Sequence, residues 1–295
     1  MTSYYEAPPS NLRSLRDRLT QAAKREGIVF GRLQQHVAVL VVTQFMSALT
    51  DDQGNPVLLV KGGASLELRQ GIPSSRTSKD LDAVTRANMV EAHENLADAG
   101  AAGWEGFTAV FTPPVEFAVA SLTGQACRFT AKLSYLGKPF ASVPLEVSAA
   151  EAGNTDRYDP VTSEALALAG LPTAQAVPCM TLPWQVAQKL HACTDTVEEP
   201  STNDRAHDLV DLLLIEALLA DQSLAETRSA CNAVFDARNR HTWPTKVTPQ
   251  PHWGRIYQRA LEGLDALDLP LTVTEAAQRV QAFVDRIDAS RPAEA

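Results

Sequence analysis

Apolar residues occupy most of the circumference of a helical wheel drawn over residues 31–49, which predicts a helix buried between other elements. Ahead of it, residues 11–27 read as an amphipathic helix with Ser10 as N-cap. The texture then changes. Asp51 to Pro56 is turn chemistry, and Val57 to Val60 is an apolar run of buried-strand length that leads directly into a helix over about 64–70. Further strands are predicted over 80–85, 108–112, 128–135 and 140–148, with a helix at 89–99. Pro160, Pro172, Pro178 and Pro183 punctuate a connecting stretch, and from Thr181 onward the pattern is helical, near 183–195, 203–219, 223–239, 252–266 and 273–288. The expected architecture is α+β and bilobed: a mixed sheet-and-helix lobe over 1–160, then a helical lobe over 161–295 that completes a cleft.

Two short segments carry candidate chemistry. Gly62 and Gly63 stand where a strand gives way to a helix, a place where backbone N–H groups can approach a phosphate, although such a pair also serves simple turn geometry. In Ser78-Lys-Asp-Leu-Asp82, strand alternation points Asp80 and Asp82 to one face. Two carboxylates at one spot repel, and a hard divalent cation such as Mg²⁺ relieves them; the same pattern also occurs in loops and calcium sites. Two-metal nucleotidyl transfer needs a third carboxylate, for which Glu146 is the candidate, and Glu146 reads equally as an exposed strand residue. In the helical half, Lys189 suits a β- or γ-phosphate if it reaches the cleft. Asp204, Asp208 and Asp211 share one helix face that is either solvated or a cleft wall, with Arg205 and His207 as further substrate contacts. Arg238 and Arg240 could meet phosphates, and Trp243 and Trp253 either stack a base or anchor their loop.

Composition adjusts this picture in three places. With 35 acidic against 26 basic residues, the net charge of −9 opposes a nucleic-acid partner. Locally, Arg13, Arg16, Arg18, Lys24 and Arg25 outnumber Asp17 and Glu26 on the first helix, which is either a basic arm or a solvated face with ion pairs. The opening residues have neither a basic start nor an apolar core, and the uncharged stretch from Val37 to Thr50 is too short and too polar for a bilayer core of roughly 30 Å, so a cytoplasmic address and no membrane contact are expected. Cys127, Cys179, Cys193 and Cys231 show no zinc or disulfide spacing and read as core thiols.

Taken together, Lys61-Gly-Gly-Ala-Ser-Leu66 and Arg76-Thr-Ser-Lys-Asp-Leu-Asp82 resemble the signature of the AbiEii nucleotidyltransferases, within the DNA polymerase β-like superfamily. Lys189-Leu-His191 with Asp204-Arg-Ala-His-Asp-Leu-Val-Asp211 resembles that family's second block, and the whole chain is similar to the mycobacterial MenT toxins. The resemblance implies a polymerase β-like first lobe and a growth-arresting toxin, paired with an antitoxin protein, that moves a nucleotide from an NTP, with CTP favoured, onto the 3′ acceptor end of tRNA and blocks aminoacylation. It assigns catalysis to Asp80, Asp82, Lys189 and Asp211; with the strand carboxylate Glu146 added from its position, Mg²⁺ is expected on Asp80, Asp82 and Glu146. The triphosphate falls to Gly62, Gly63, Ser65, Ser78, Lys189 and Arg238. Ser78 stands two residues before Asp80, so a phosphate on it would add about −1.5 to −2 charges beside the cation site and repel the NTP; the alternative is an ordinary turn serine. Competing readings are transfer to a protein or antibiotic hydroxyl, and a non-catalytic cation-binding regulator.

Overall fold

A computed structural model describes residues 5–76, 78, 80–117, 125–196 and 202–290. Thr77 and Lys79 of the second motif lie outside the described residues. The chain opens with α1 (Leu12–Glu26) and α2 (Phe30–Ser47). Asn11, not Ser10, caps α1: its side chain accepts from the Ser14 N–H at 2.9 Å, because an Asn at that position reaches the third helical amide. β1 (Leu58–Val60), α3 (Gly62–Gln70), β2 (Leu81–Thr85) and α4 (Met89–Ala102) follow. Next come β3 (Phe107–Phe111), β4 (Val115–Phe117), β5 (Ala126–Tyr135), β6 (Lys138–Ala149), β7 (Tyr158–Val161) and β8 (Val177–Met180). The chain closes with α5 (Leu182–Thr194), α6 (Ala206–Leu218), α7 (Ala225–Arg238), α8 (Trp253–Leu261) and α9 (Val273–Ala289).

The strands form one mixed α+β sheet in the order β3-β5-β6-β2-β1-β8-β7, with β4 also on β5. Among the described residues, only the β2–β6 and β1–β8 pairs are parallel. The sheet therefore extends to Met180, and the change to an all-helical chain falls at Thr181 rather than near residue 160. Proline density misplaced that boundary: Pro160 and Pro178 face each other across the β7–β8 pair near the edge of the sheet, where a missing N–H is tolerated.

Alternation along the central strands separates two faces. Leu58, Val60, Leu81, Ala83, Leu145 and Val147 join α2 and α4 in one buried cluster, with α1 layered outside α2. Leu59, Val84 and Met180 point the other way and meet Trp184 of α5. A second cluster joins α5 to α9, with Leu66 of α3 packed into it. All four cysteines are free and buried, as expected of core thiols. Among the described residues, no helix is long and apolar enough to cross a membrane.

Candidate active site

Asp82 and Glu146 lie side by side because β2 runs parallel to β6 in a register that pairs these two residues. Both are on the sheet face opposite α2. Beneath them the chain turns from β1 into α3, and only glycine suits the first helical position. Gly62 has φ +65°, and a Cβ there would stand 2.2 Å from Asp82 Oδ2. Gly63 is crowded more gently, since a Cβ would meet the Ser78 hydroxyl at 3.0 Å. Asp80 precedes the strand itself, which begins at Leu81.

Gly62, Asp82 and Glu146 line a cavity of ≈ 170 Å³, which Gly63, Ser78 and Asp80 do not line, and its opposite wall is built by Gln188 and Lys189 of α5, Asp208 of α6 and Arg238 of α7. Burial pushes the Asp82 carboxyl up to about 6; Lys61 opposes this, while Glu146 and Asp80 reinforce it. Burial likewise lowers the Lys61 ammonium against the pull of Asp82, and its Nζ donates to Ser148 Oγ at 2.7 Å. Glu146 accepts from Arg128 Nε at 3.0 Å. Among the described residues no three carboxylate, imidazole or thiol side chains are gathered closely enough to hold a cation as they stand. The donor chemistry fits a hard cation: Asp82 is half-buried, in the field of the Glu146 and Asp80 carboxylates, and costly to ionise without a compensating charge.

The helical wall is a linked set of charges. Lys189 Nζ donates to Asp208 Oδ1 at 3.0 Å and to Asp211 Oδ2 at 2.6 Å, and Arg76 forks onto Asp211 at 2.6 and 2.8 Å. Burial alone would push both aspartates up, but Lys189 and its neighbours hold them below the usual carboxylate range. Burial would also lower Lys189, yet Asp208 and Asp211 raise it, so the pairing keeps all three groups charged. Asp208 and Asp211 therefore form neither a solvated face nor a direct cavity pair: both are buried, and only Asp208 lines the cavity.

Several expected residues are placed differently. Ser65 is fully buried, its Oγ accepting from Gln185 Nε2 at 3.0 Å, and does not line the cavity, because the first turn of α3 points it into the sheet–helix junction. The guanidinium of Arg238 reaches the cavity, but its fork is taken by buried Glu151 at 2.6 and 3.1 Å. Ser78 donates to the Asp80 carbonyl at 2.9 Å. Arg205 lines the cavity and His207 does not. Arg240 is held by Asp195 at 2.9 Å. Trp253 is fully buried with its ring N–H on the Asn203 carbonyl, and Trp243 packs on Phe235, so both anchor their loop. The basic residues of α1 lie across the sheet from the cavity and cannot line it.

Lys61, Arg76, Gln188 and Glu151 are not singled out by the sequence. Lys61 and Arg76 sit inside the two motif segments, which was signal enough; Glu151 is a lone acid after β6 and offered none.

A sequence model described as "Nucleotidyl transferase AbiEii toxin, Type IV TA system" matches residues 44–295. Among solved structures, the fold is similar to that of MenT4, a nucleotidyltransferase toxin from Mycobacterium tuberculosis H37Rv, with a TM-score of 0.51 and 16% identity over 94% of this chain and 99% of that one. At that identity the likeness is one of fold. No curated protein sequence matches the chain.

Proposed function

Because the chain belongs to the AbiEii family of type IV toxin–antitoxin nucleotidyltransferases, we propose that it transfers a nucleotide from an NTP, CTP before the others, to the 3′ hydroxyl of tRNA, blocking aminoacylation. The family is one of toxin nucleotidyltransferases, which implies an NTP co-substrate and an antitoxin partner. One observation carries the chemistry: Asp82 and Glu146 stand together over the Gly62 turn, facing a wall that carries Lys189.

In this reading Asp80, Asp82 and Glu146 would hold Mg²⁺, which when bound supplies charge neutralisation at the triphosphate and activation of the acceptor hydroxyl. The N-terminal amides of α3, at Gly62 and Gly63, face the phosphates with the positive end of the helix. Lys189 has three ammonium N–H groups and commits two to Asp208 and Asp211, leaving one to aim at the leaving pyrophosphate. The acceptor oxygen forms a bond to the α-phosphorus as the bond to pyrophosphate breaks, and the hydroxyl proton passes to solvent water. Asp211 acts by fixing Lys189. The first lobe and the helices beyond Thr181 supply opposite walls of the site.

The direct test is incubation of the purified protein with total tRNA, Mg²⁺ and each labelled NTP, with Asp80→Ala alongside. Label entering tRNA from CTP and vanishing in the variant is the expected result. Label on protein, or none from any NTP, would overturn the tRNA acceptor. Ser78 is proposed as a regulatory phosphorylation site because its Oγ lies beside Gly63 and the Asp80 backbone. Ser78→Asp should abolish transfer, and full activity would remove that proposal.

A further inference from the structure

The sheet face that carries Asp82 and Glu146 continues outward beyond the cavity onto β5, β4 and β3, where the described helices make no substantial contact with it; α2 and α4 cover the other side. Strand register turns this face into rows. Asp82 pairs with Glu146, Glu146 with Arg128 and Arg128 with Val115, so one straight row runs from the candidate cation site to open solvent. Two residues along, Pro144 pairs with Thr130, and two further, Ser142 pairs with Lys132 and Lys132 with Val110. Rows on one face are separated by two residues, about 7 Å at the rise of an antiparallel strand.

The chemistry of these rows differs from that of the whole chain. The net charge is −9, yet beyond Asp82 and Glu146 at the site these rows carry no carboxylate, and Arg128 and Lys132 are cations. The Arg128 side chain is 59% exposed and lies 5.1 Å from the centre of the Phe117 ring. Val110 and Val115 are 69% and 66% exposed, on a face that would otherwise favour polar residues. Cations spaced along an open strand face, with an aromatic ring and apolar side chains beside them, are what a single nucleic-acid strand uses: phosphates meet the cations and bases lie on the ring and the valines. An acidic partner protein would meet the cations equally well, but it gives no reason for the row to end at the transfer site.

We propose that this open face, from Arg128 and Phe117 to Lys132 and Val110, is the track on which the unpaired 3′ end of the acceptor RNA lies, with its terminal hydroxyl delivered at the Asp82–Glu146 row. The inference rests on the RNA-acceptor reading above and assigns it a surface. It also accounts for how an acidic chain binds RNA without using α1, whose basic residues are on the wrong side of the sheet.

The test is binding of fluorescent tRNA by anisotropy, in EDTA and without NTP, so that catalysis plays no part. Lys132→Glu should weaken binding about tenfold at low salt and reduce the slope of log affinity against log salt by about 1. Val110→Asp should weaken it in the same direction, and the α1 double variant Arg13→Glu/Arg16→Glu should bind as wild type; thermal melts verify folding. Wild-type affinity and slope in Lys132→Glu would overturn the track, as would loss of antitoxin binding in that variant with RNA binding intact, which would make the face a protein-docking surface. In the labelled-NTP assay, Lys132→Glu should raise the KM for tRNA. If wild-type protein labels no RNA while the anisotropy effect stands, the RNA track survives and the tRNA-transfer reading falls.

Discussion

Gly62→Ala is the sharpest perturbation of the proposed chemistry, because it adds one methyl group at a place where its neighbours are known. The backbone there has φ +65°, and holding an alanine in that left-handed region costs about 1–2 kcal/mol. The new methyl would also fall 2.2 Å from Asp82 Oδ2 and 3.0 Å from the Asp82 Cβ, so the carboxylate must retreat by about 1 Å or the start of α3 must shift by as much. A melting temperature lower by roughly 2–3 °C follows from the first effect. The second acts on function, since a misplacement of about 1 Å in a reacting constellation costs roughly a hundredfold in rate. Initial rates of labelled nucleotide transfer to tRNA, read beside a thermal melt, separate the two. Gly63→Ala is the internal contrast: its backbone is not left-handed and its methyl meets the movable Ser78 hydroxyl at 3.0 Å, so its rate should fall by no more than about tenfold. A Gly62→Ala protein that transfers within about threefold of wild type would refute the assignment of Asp82 to the reacting centre.

Asp82→Asn should make the metal-free protein more stable at pH 7.5. The carboxyl titrates at about 6 in the fold against 3.8 when free, so its ionised form costs the fold up to about 3 kcal/mol above pH 6, a cost that disappears as pH falls towards 4. Urea melts in EDTA at pH 7.5 and pH 4.5 should show a gap that closes at the lower pH, and equal stability at pH 7.5 would contradict the burial argument. Arg76→Ala removes the fork from fully buried Asp211 and should cost about 3 kcal/mol at neutral pH. Because Asp211 is held below the carboxylate range, that loss is present above about pH 4 and fades below it; a neutral-pH loss under about 1 kcal/mol would show the pair to be dispensable. Glu151→Gln should weaken the hold on Arg238 and Gln188 at the cavity wall and lower both the melting temperature and the transfer rate. A lowered rate at unchanged stability would instead point to a direct role for the carboxylate.

Local chemistry made much of this protein readable from its sequence. The buried α2, the Gly-Gly turn into α3, the outward alternation of Asp82 on its strand and the helical second half each follow from periodicities and turn residues that lie within a few positions of one another. What depended on the tertiary structure was partnership across the chain. Glu146 stands at the site because β6 chose β2 as a parallel neighbour in one register, and a shift of one residue would have turned it to the other face. The same register aligns Arg128 with it, and no spacing in the sequence announces that row. Asp208 and Asp211 look like a solvated stripe until Lys189 and Arg76, from distant segments, neutralise them in the interior. Ser65 and α1 show the converse: residues of suitable chemistry near a motif, or on a basic helix, which packing directs away from the cavity. Periodicity is a property of neighbours along the chain, whereas burial, charge pairing and strand register are settled by which surfaces exclude water together, and that is decided only when the whole chain has folded.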